Sequence, residues 1–113
     1  MLALTAATRI YLYRVPCDMR KSFDGLCGLI RSELGEDPLS GSLFVFLNRR
    51  RNMVKLLYWD RDGFALWYKR LEQGCFRLPP ISYTQARIDR LQLSLLLEGV
   101  TPKNVSKRYI FEK

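Results

Sequence analysis

Histidine is absent from this chain of 113 residues, and its absence excludes more chemistry than any other gap in the composition. Histidine is the usual general base and proton shuttle of enzymes, and it is the commonest ligand for transition metals. Glycine-rich phosphate-binding loops and nucleophile elbows are missing as well. We therefore expect a protein that is not an enzyme, with no catalytic residue, no metal site and no cofactor.

Cysteine and long apolar runs are also scarce. Cys17, Cys27 and Cys75 are too few and too far apart for a disulfide framework or a zinc site, so we expect reduced thiols that serve for packing. No apolar run approaches the roughly 18–20 residues needed to span a bilayer, and the first residues do not resemble a signal peptide. A cytoplasmic protein without membrane association is the expectation.

Acidic residues are in the minority. The 11 aspartates and glutamates face 19 lysines and arginines, which gives a net charge of +8 and a pI near 9.8. This balance favours a polyanionic partner, either nucleic acid or an acidic membrane. The positive charge is concentrated in residues 48–77, where eight cations stand beside three acids. A basic surface that is merely solvated is the alternative interpretation.

Three acids in this region, Asp60, Asp62 and Glu72, raise the question of a two-metal nuclease or a calcium loop. The spacing does not fit a calcium loop, because Glu72 lies too far along the chain. An Asp-Gly pair in a tight hairpin turn explains the first two acids without any catalytic role.

The most informative stretch is residues 43–71, in which large apolar residues alternate with cations. Turn sequences at 48–52 and 60–63 divide it into three strands, 43–48, 53–59 and 64–71, which predicts an antiparallel meander with positive φ angles at Asp62-Gly63. A strand over 9–14 precedes it, and a helix capped by Asp18 runs through Leu34 to a left-handed Gly35.

A second helix is predicted near the end of the chain. Ser82 with Gln85 matches a capping box, Thr84 is a rival cap, and the apolar positions Ile88, Leu91, Leu95 and Leu96 lead to Gly99. The tail, residues 101–113, is basic and loosely patterned. The chain therefore predicts one α+β domain over residues 1–113, in which an antiparallel sheet of four or five strands packs against two helices.

Strand alternation separates two faces of the meander. The face that carries Val45, Leu47 and Leu56 is aliphatic, and we expect both helices to cover it. The other face is aromatic and carries the cations Lys55 and Arg70. It is either a second half-core, covered by the N-terminal strand, the tail or a second copy, or a surface that stacks bases or binds a protein. Its candidate interface residues are Phe44, Phe46, Trp59, Phe64 and Tyr68.

Three consecutive arginines occupy the first hairpin tip, where guanidinium groups can reach phosphates or guanine edges. Basic residues at the start of the first helix add to them, because backbone N–H groups at a helix start attract phosphate. The predicted DNA-binding residues are Arg20, Lys21, Arg49, Arg50, Arg51, Arg61, Lys69 and Arg70.

Four segments resemble the small TnpB-type accessory proteins, the product of a second open reading frame, of the insertion-sequence-sixty-six transposon family. They are TRIYL at 8–12, DMRKSFDGL at 18–26, DPLSGSLFVF at 37–46 and LYWDRDGFALWYKRLE at 57–72, and the resemblance extends from residue 8 to about residue 99. Cys17 and Ser22 depart from its usual pattern.

This resemblance implies a non-catalytic factor in DNA transposition, a form of DNA recombination, with the catalytic acids on a larger transposase. The expected partners are DNA at the ends of the bacterial element, the transposase and the element's other accessory protein. When bound to DNA such a protein would be associated with the nucleoid. A protein–protein adaptor that holds the transposase without specific DNA binding is the alternative, and self-association stays open.

Overall fold

The computed structural model describes residues 4–79 and 86–99. Its helices and strands follow one another as β1 (Ile10–Tyr13), α1 (Phe23–Leu29), β2 (Leu43–Leu47), β3 (Met53–Asp60), β4 (Gly63–Arg70), β5 (Arg87–Ile88) and α2 (Arg90–Glu98). A π-helical segment, Ile30–Leu34, continues α1 to Gly35, which has the predicted left-handed backbone with a φ of 63°. The 3₁₀ turn Pro38–Ser40 then leads into β2.

The five strands form one sheet in the order β4-β3-β2-β1-β5. β2, β3 and β4 make the predicted antiparallel meander, and β5 pairs antiparallel with β1. β1 and β2 are parallel neighbours, which the sequence reasoning did not predict. Parallel strands need a long connection, and α1 with its π-helical continuation supplies it. The predicted α+β class, with a mostly antiparallel sheet of five strands and two helices, is confirmed.

The two helices lie on opposite faces of the sheet. Leu93 and Leu96 of α2 pack on the aliphatic face, as predicted. Leu26 of α1 and Ile30 behind it pack on the aromatic face. The prediction that both helices share the aliphatic face is therefore wrong. Both faces of the meander are apolar, so each of them requires a cover to remove it from water.

The two hairpins reach left-handed backbone at an arginine. In the β2–β3 hairpin, residues 48–52, Arg51 has a φ of 57°, and in the β3–β4 turn Arg61 has a φ of 58°. Gly63, expected to supply a positive φ, is instead the first residue of β4. Both arginines are exposed. A positive φ is uncommon for a residue other than glycine, and here both tight turns adopt it at an arginine.

The second helix starts later than predicted. Asp89 caps α2, and its carboxylate accepts a hydrogen bond from Gln92 N–H while the Gln92 side chain accepts one from the Asp89 N–H. Ile88 lies in β5, so the predicted extension of the helix through it is wrong. Leu96 is buried, whereas Leu91 and Leu95 are exposed. Gly99 ends the helix, as expected. The proposed caps Ser82, Gln85 and Thr84 and the tail lie outside the described residues.

No helix within residues 4–79 and 86–99 has both the length and the apolar character required to cross a bilayer.

Candidate nucleic-acid interface

Cations from five separate segments of the chain lie at one end of the sheet. The arginine hairpin lies there because it follows β2, and Lys69 and Arg70 lie there because they pair with Val54 and Met53 at the start of β3. β1 runs parallel to β2, which brings Arg14 to the same end. We call this surface the basic end. Its cations are Arg14, Arg20, Lys21, Arg49, Arg50, Arg51, Lys69, Arg70 and Arg77.

Lys55 brings the segment before α1 to the basic end. Its side chain is 5% exposed, and its ammonium group donates hydrogen bonds to the carbonyl oxygens of Met19 and Lys21, each at 2.7 Å. The same ammonium lies 4.7 Å from the centre of the Tyr68 ring, within the range of a cation–π contact. Lys55, which the sequence placed on the aromatic face, thus holds the segment with Arg20 and Lys21 against the sheet.

Two carboxylates at the basic end are engaged by neighbouring arginines. Asp18 accepts from the Arg20 guanidinium at 2.7 Å, and Glu72 lies 3.1 Å from that of Arg70. The side-chain and backbone hydrogen bonds from Arg20 lower the pKa of Asp18 to about 2. The prediction that Asp18 caps α1 is wrong, because Ser22 holds the cap position. Asp18 instead accepts a hydrogen bond from the Arg20 N–H in the turn before the helix. Glu98, at the end of α2, is a further acid near this end, since it lines a groove together with Arg77.

The backbone of the arginine hairpin is held by asparagine side chains. Asn48 Oδ1 accepts from the N–H groups of Asn52 and Met53, each at 3.0 Å, and Asn48 Nδ2 donates to Asn52 Oδ1 at 2.7 Å. The Phe76 N–H donates to the Arg51 carbonyl at 2.6 Å, which places Arg77 beside the hairpin. The three arginine side chains therefore project from a fixed loop.

Arg61 lies apart from the other predicted DNA-binding residues. It forms the turn at the far end of β3, roughly 25 Å from the basic end at about 3.3 Å per residue. Its side chain is 94% exposed and lies 3.9 Å from Asp60. Asp37 also lies at this far end, since it caps the turn that leads into β2. The end opposite the arginine hairpin thus carries acids beside its cations.

The acids considered for catalysis are not brought together. Asp60 and Asp62 lie at the β3–β4 turn, whereas Glu72 follows the other end of β4. Among residues 4–79 and 86–99, no group of three or more cysteine, aspartate or glutamate side chains could hold a metal ion.

The comparison with known families decides the identity. The model of the family described as IS66 Orf2 like protein matches residues 8–107. The chain belongs to this family. The resemblance seen in the sequence motifs is thereby confirmed, and the chain is a transposition-associated accessory protein.

Relatives of this IS66 Orf2-like protein include two from Sinorhizobium fredii (strain NBRC 101917 / NGR234). The chain is 32% identical over 108 residues to "Uncharacterized protein y4jC", a match that covers 96% of this chain and 92% of the relative. It is 34% identical over 100 residues to "Uncharacterized protein y4hO", and this match covers 88% of this chain and 87% of the relative. No solved structure matches the chain.

The predicted aromatic interface of the IS66 Orf2-like protein is divided by the fold. Phe44 and Phe46 are completely buried under α1, so their assignment to a partner interface is wrong for the folded chain. Trp59 and Phe64 are partly buried and form an edge-to-face pair with ring centroids 5.0 Å apart. Tyr68 is 50% exposed. These three residues remain candidates for a protein contact.

Sequence reasoning missed two kinds of residue in the IS66 Orf2-like protein. Arg14 was not predicted because its position depends on the unforeseen parallel pairing of β1 with β2. Asn48 was predicted only as a turn residue, although asparagine on both sides of the arginines indicates a turn held by side-chain hydrogen bonds.

Cys17 and Cys27 are buried among the residues around α1, and all three cysteines are free, as their expected packing role requires.

Proposed function

We propose that this IS66 Orf2-like protein is a non-catalytic accessory factor in transposition that binds DNA through the basic end of its sheet. The observation that carries the proposal is the convergence of Arg14, Lys21, the hairpin arginines and Lys69 from four chain segments on one surface. Affinity for DNA depends mainly on neutralising phosphates with lysine and arginine. A surface that collects cations in this way suits the phosphate backbone of a duplex.

The charge at this surface remains available because few acids compete for it. Asp18 and Glu72 each engage one arginine, and both ion pairs are exposed, so phosphates can replace the carboxylates at little cost. The hairpin arginines are exposed on a braced loop. Arginine reads guanine edges as well as phosphates, so this loop is the part of the surface suited to recognise the ends of the element.

The second candidate function is an adaptor that holds the transposase without specific DNA binding. The Trp59–Phe64 pair supports it, because two large rings remain partly exposed near the far turn of the sheet. Contact with the transposase through this pair is compatible with DNA at the basic end, since the two surfaces lie toward opposite ends of β3. The element's other accessory protein or a second copy of the chain are rival occupants of the same surface.

Fluorescence anisotropy with a labelled duplex of the terminal inverted repeat, against a scrambled duplex and across a salt series, tests DNA binding. The two left-handed arginines provide matched variants. Arg51→Asn and Arg61→Asn remove the same charge from the same backbone conformation, which asparagine tolerates, at opposite ends of β3.

We expect Arg51→Asn to weaken binding and to reduce the slope of log affinity against log salt by about 0.9, the value for one lost phosphate contact. Arg61→Asn should leave both quantities unchanged. A preference for the inverted repeat at physiological salt supports sequence recognition. Absence of binding, or equal effects of the two variants, argues against the basic end, and a transposase complex that persists at high salt would then favour the adaptor.

A further inference from the structure

A cleft of about 230 Å³ opens at the basic end, between the loop that follows β1 and the arginine hairpin. Its polar lining includes Arg14, Arg49, Arg51 and Asn48, and its apolar lining includes Leu47 and Leu78. Three guanidinium-bearing residues thus border one small concavity.

Both walls of the cleft are attached to the end of β2. On one side, the Cys17 N–H donates to the Leu47 carbonyl at 2.8 Å, which fixes the backbone beside Pro16, itself part of the lining. On the other side, the Arg51 N–H donates to the Asn48 carbonyl at 3.0 Å, and the asparagine pair braces the rest of the turn. The cleft is therefore formed by the fold before any ligand binds.

The electrostatics of the cleft favour an anion. Among the residues that the structure describes, no carboxylate lines the cleft, and two acids of the basic end, Asp18 and Glu72, are engaged by Arg20 and Arg70, which lie outside the lining. Arginine presents donors in a planar fork that matches the oxygens of a phosphate. The apolar side chains on the other part of the wall lower the local dielectric, and this strengthens the attraction between a guanidinium and an anion.

We infer that this cleft is a subsite for a single phosphate group of the nucleic acid. The inference rests on the proposed function. It adds one defined phosphate position to a surface whose other cations attract the phosphate backbone without fixing its position. A phosphate held between the loop after β1 and the hairpin would set the angle at which the other cations of the basic end meet the strand.

Inorganic phosphate tests the subsite without DNA. Amide chemical shifts of the full chain are followed during a phosphate titration, with chloride exchanged to keep the ionic strength constant. We expect saturable shifts at Arg14, Val15 and Cys17 and at residues 48–52. Arg51→Asn should weaken phosphate binding roughly tenfold, which is about 1.4 kcal/mol, because a guanidinium donates charge-assisted hydrogen bonds to phosphate oxygens. Arg61→Asn, the matched control, should leave it unchanged.

Shifts that do not saturate, or that are the same in Arg51→Asn as in the unaltered chain, would overturn the subsite. Duplexes with a 5′-phosphate and with a 5′-hydroxyl then identify the source of the group. Tighter binding of the first assigns the cleft to a strand end, whereas equal binding that is weakened by Arg51→Asn assigns it to an internal phosphodiester.

The two proposals fail in different ways. DNA binding that depends on the basic end, without a saturable phosphate site, rejects the cleft and leaves the DNA-binding function standing. Phosphate binding without affinity for any duplex rejects the function and leaves the cleft as an anion site.

Discussion

At the scale of single residues, Lys55 shows how a cation contributes to the basic end without being on its surface. Its two hydrogen bonds to backbone carbonyls link β3 to the segment before α1. Lys55→Met keeps the length of the side chain and leaves both carbonyls without that donor. We expect a loss of about 1–3 kcal/mol in the free energy of unfolding, measured by urea denaturation, because a buried acceptor loses its partner.

The same variant should expose residues 19–22 to faster amide hydrogen exchange and weaken DNA binding, although it removes no exposed charge. Lys69→Met is the control, since Lys69 lies on the same sheet but is exposed. Its effect on stability should stay within about 0.5 kcal/mol. Equal stabilities of the two variants would show that Lys55 does not hold the segment.

The pair of Asp18 and Arg20 gives a prediction about pH. Hydrogen bonds from Arg20 lower the pKa of Asp18 from its ordinary value of 3.8 to about 2. A carboxyl whose folded-state pKa is depressed stabilises the fold above its unfolded-state value, so this contribution is present above about pH 4 and is lost as the pH falls to about 2. An NMR titration of the Asp18 carboxyl should therefore have its midpoint near pH 2.

Arg20→Gln should return that midpoint toward 3.8, while Lys21→Gln should move it far less, because Lys21 acts only through its charge and is the smallest of the causes. A midpoint unaffected by Arg20→Gln would mean that the ion pair does not persist in solution.

At the scale of elements, the β2–β3 hairpin depends on one side chain for its shape. Asn48 accepts from two backbone N–H groups and donates to Asn52, so Asn48→Ala removes three hydrogen bonds. We expect a destabilisation of about 1–3 kcal/mol by thermal or urea unfolding. DNA affinity should also fall, because the arginines lose their fixed backbone although none is removed.

Arg50→Ala in the same loop separates the two effects. It removes an exposed charge and should change stability by no more than about 0.5 kcal/mol while it weakens DNA binding. An Asn48→Ala variant as stable as the unaltered chain would show that the backbone alone determines the turn.

The elements also show what the sequence can and cannot predict. Alternation separated the two faces of the meander correctly: Phe44, Leu57 and Leu66 pair across three strands and pack in the same cluster on the aromatic face. It did not give the side on which α1 packs, since aliphatic and aromatic faces are equally able to receive a helix. The start of α2 was misplaced because Ser82 and Gln85 match a capping box as well as Asp89 and Gln92 do.

At the scale of the whole molecule, the fold brings most of the candidate cations together and leaves one of them apart. The hairpin arginines, Lys69 and Arg70 lie together as neighbouring strands require, but Arg61 is separated from them by the length of β3. Arg14 was overlooked because charge runs are visible along the chain, whereas its position at the basic end follows from a parallel pairing between strands distant in sequence. Composition gives the net charge, whereas the fold determines at which end of the sheet that charge lies.

The final prediction distinguishes the basic end from net charge. A double variant, Arg50→Gln with Asp62→Asn, removes one cation from the basic end and one acid from the far turn, so the net charge of +8 is unchanged. The Debye length is about 8 Å at physiological ionic strength, much less than the roughly 25 Å between the two positions, so the change at Asp62 is screened from DNA at the basic end. We expect weaker binding and a salt slope reduced by about 0.9, the same as for Arg50→Gln alone. Asp62→Asn alone should have no effect, and an unchanged affinity of the double variant would show that DNA responds to total charge rather than to this surface.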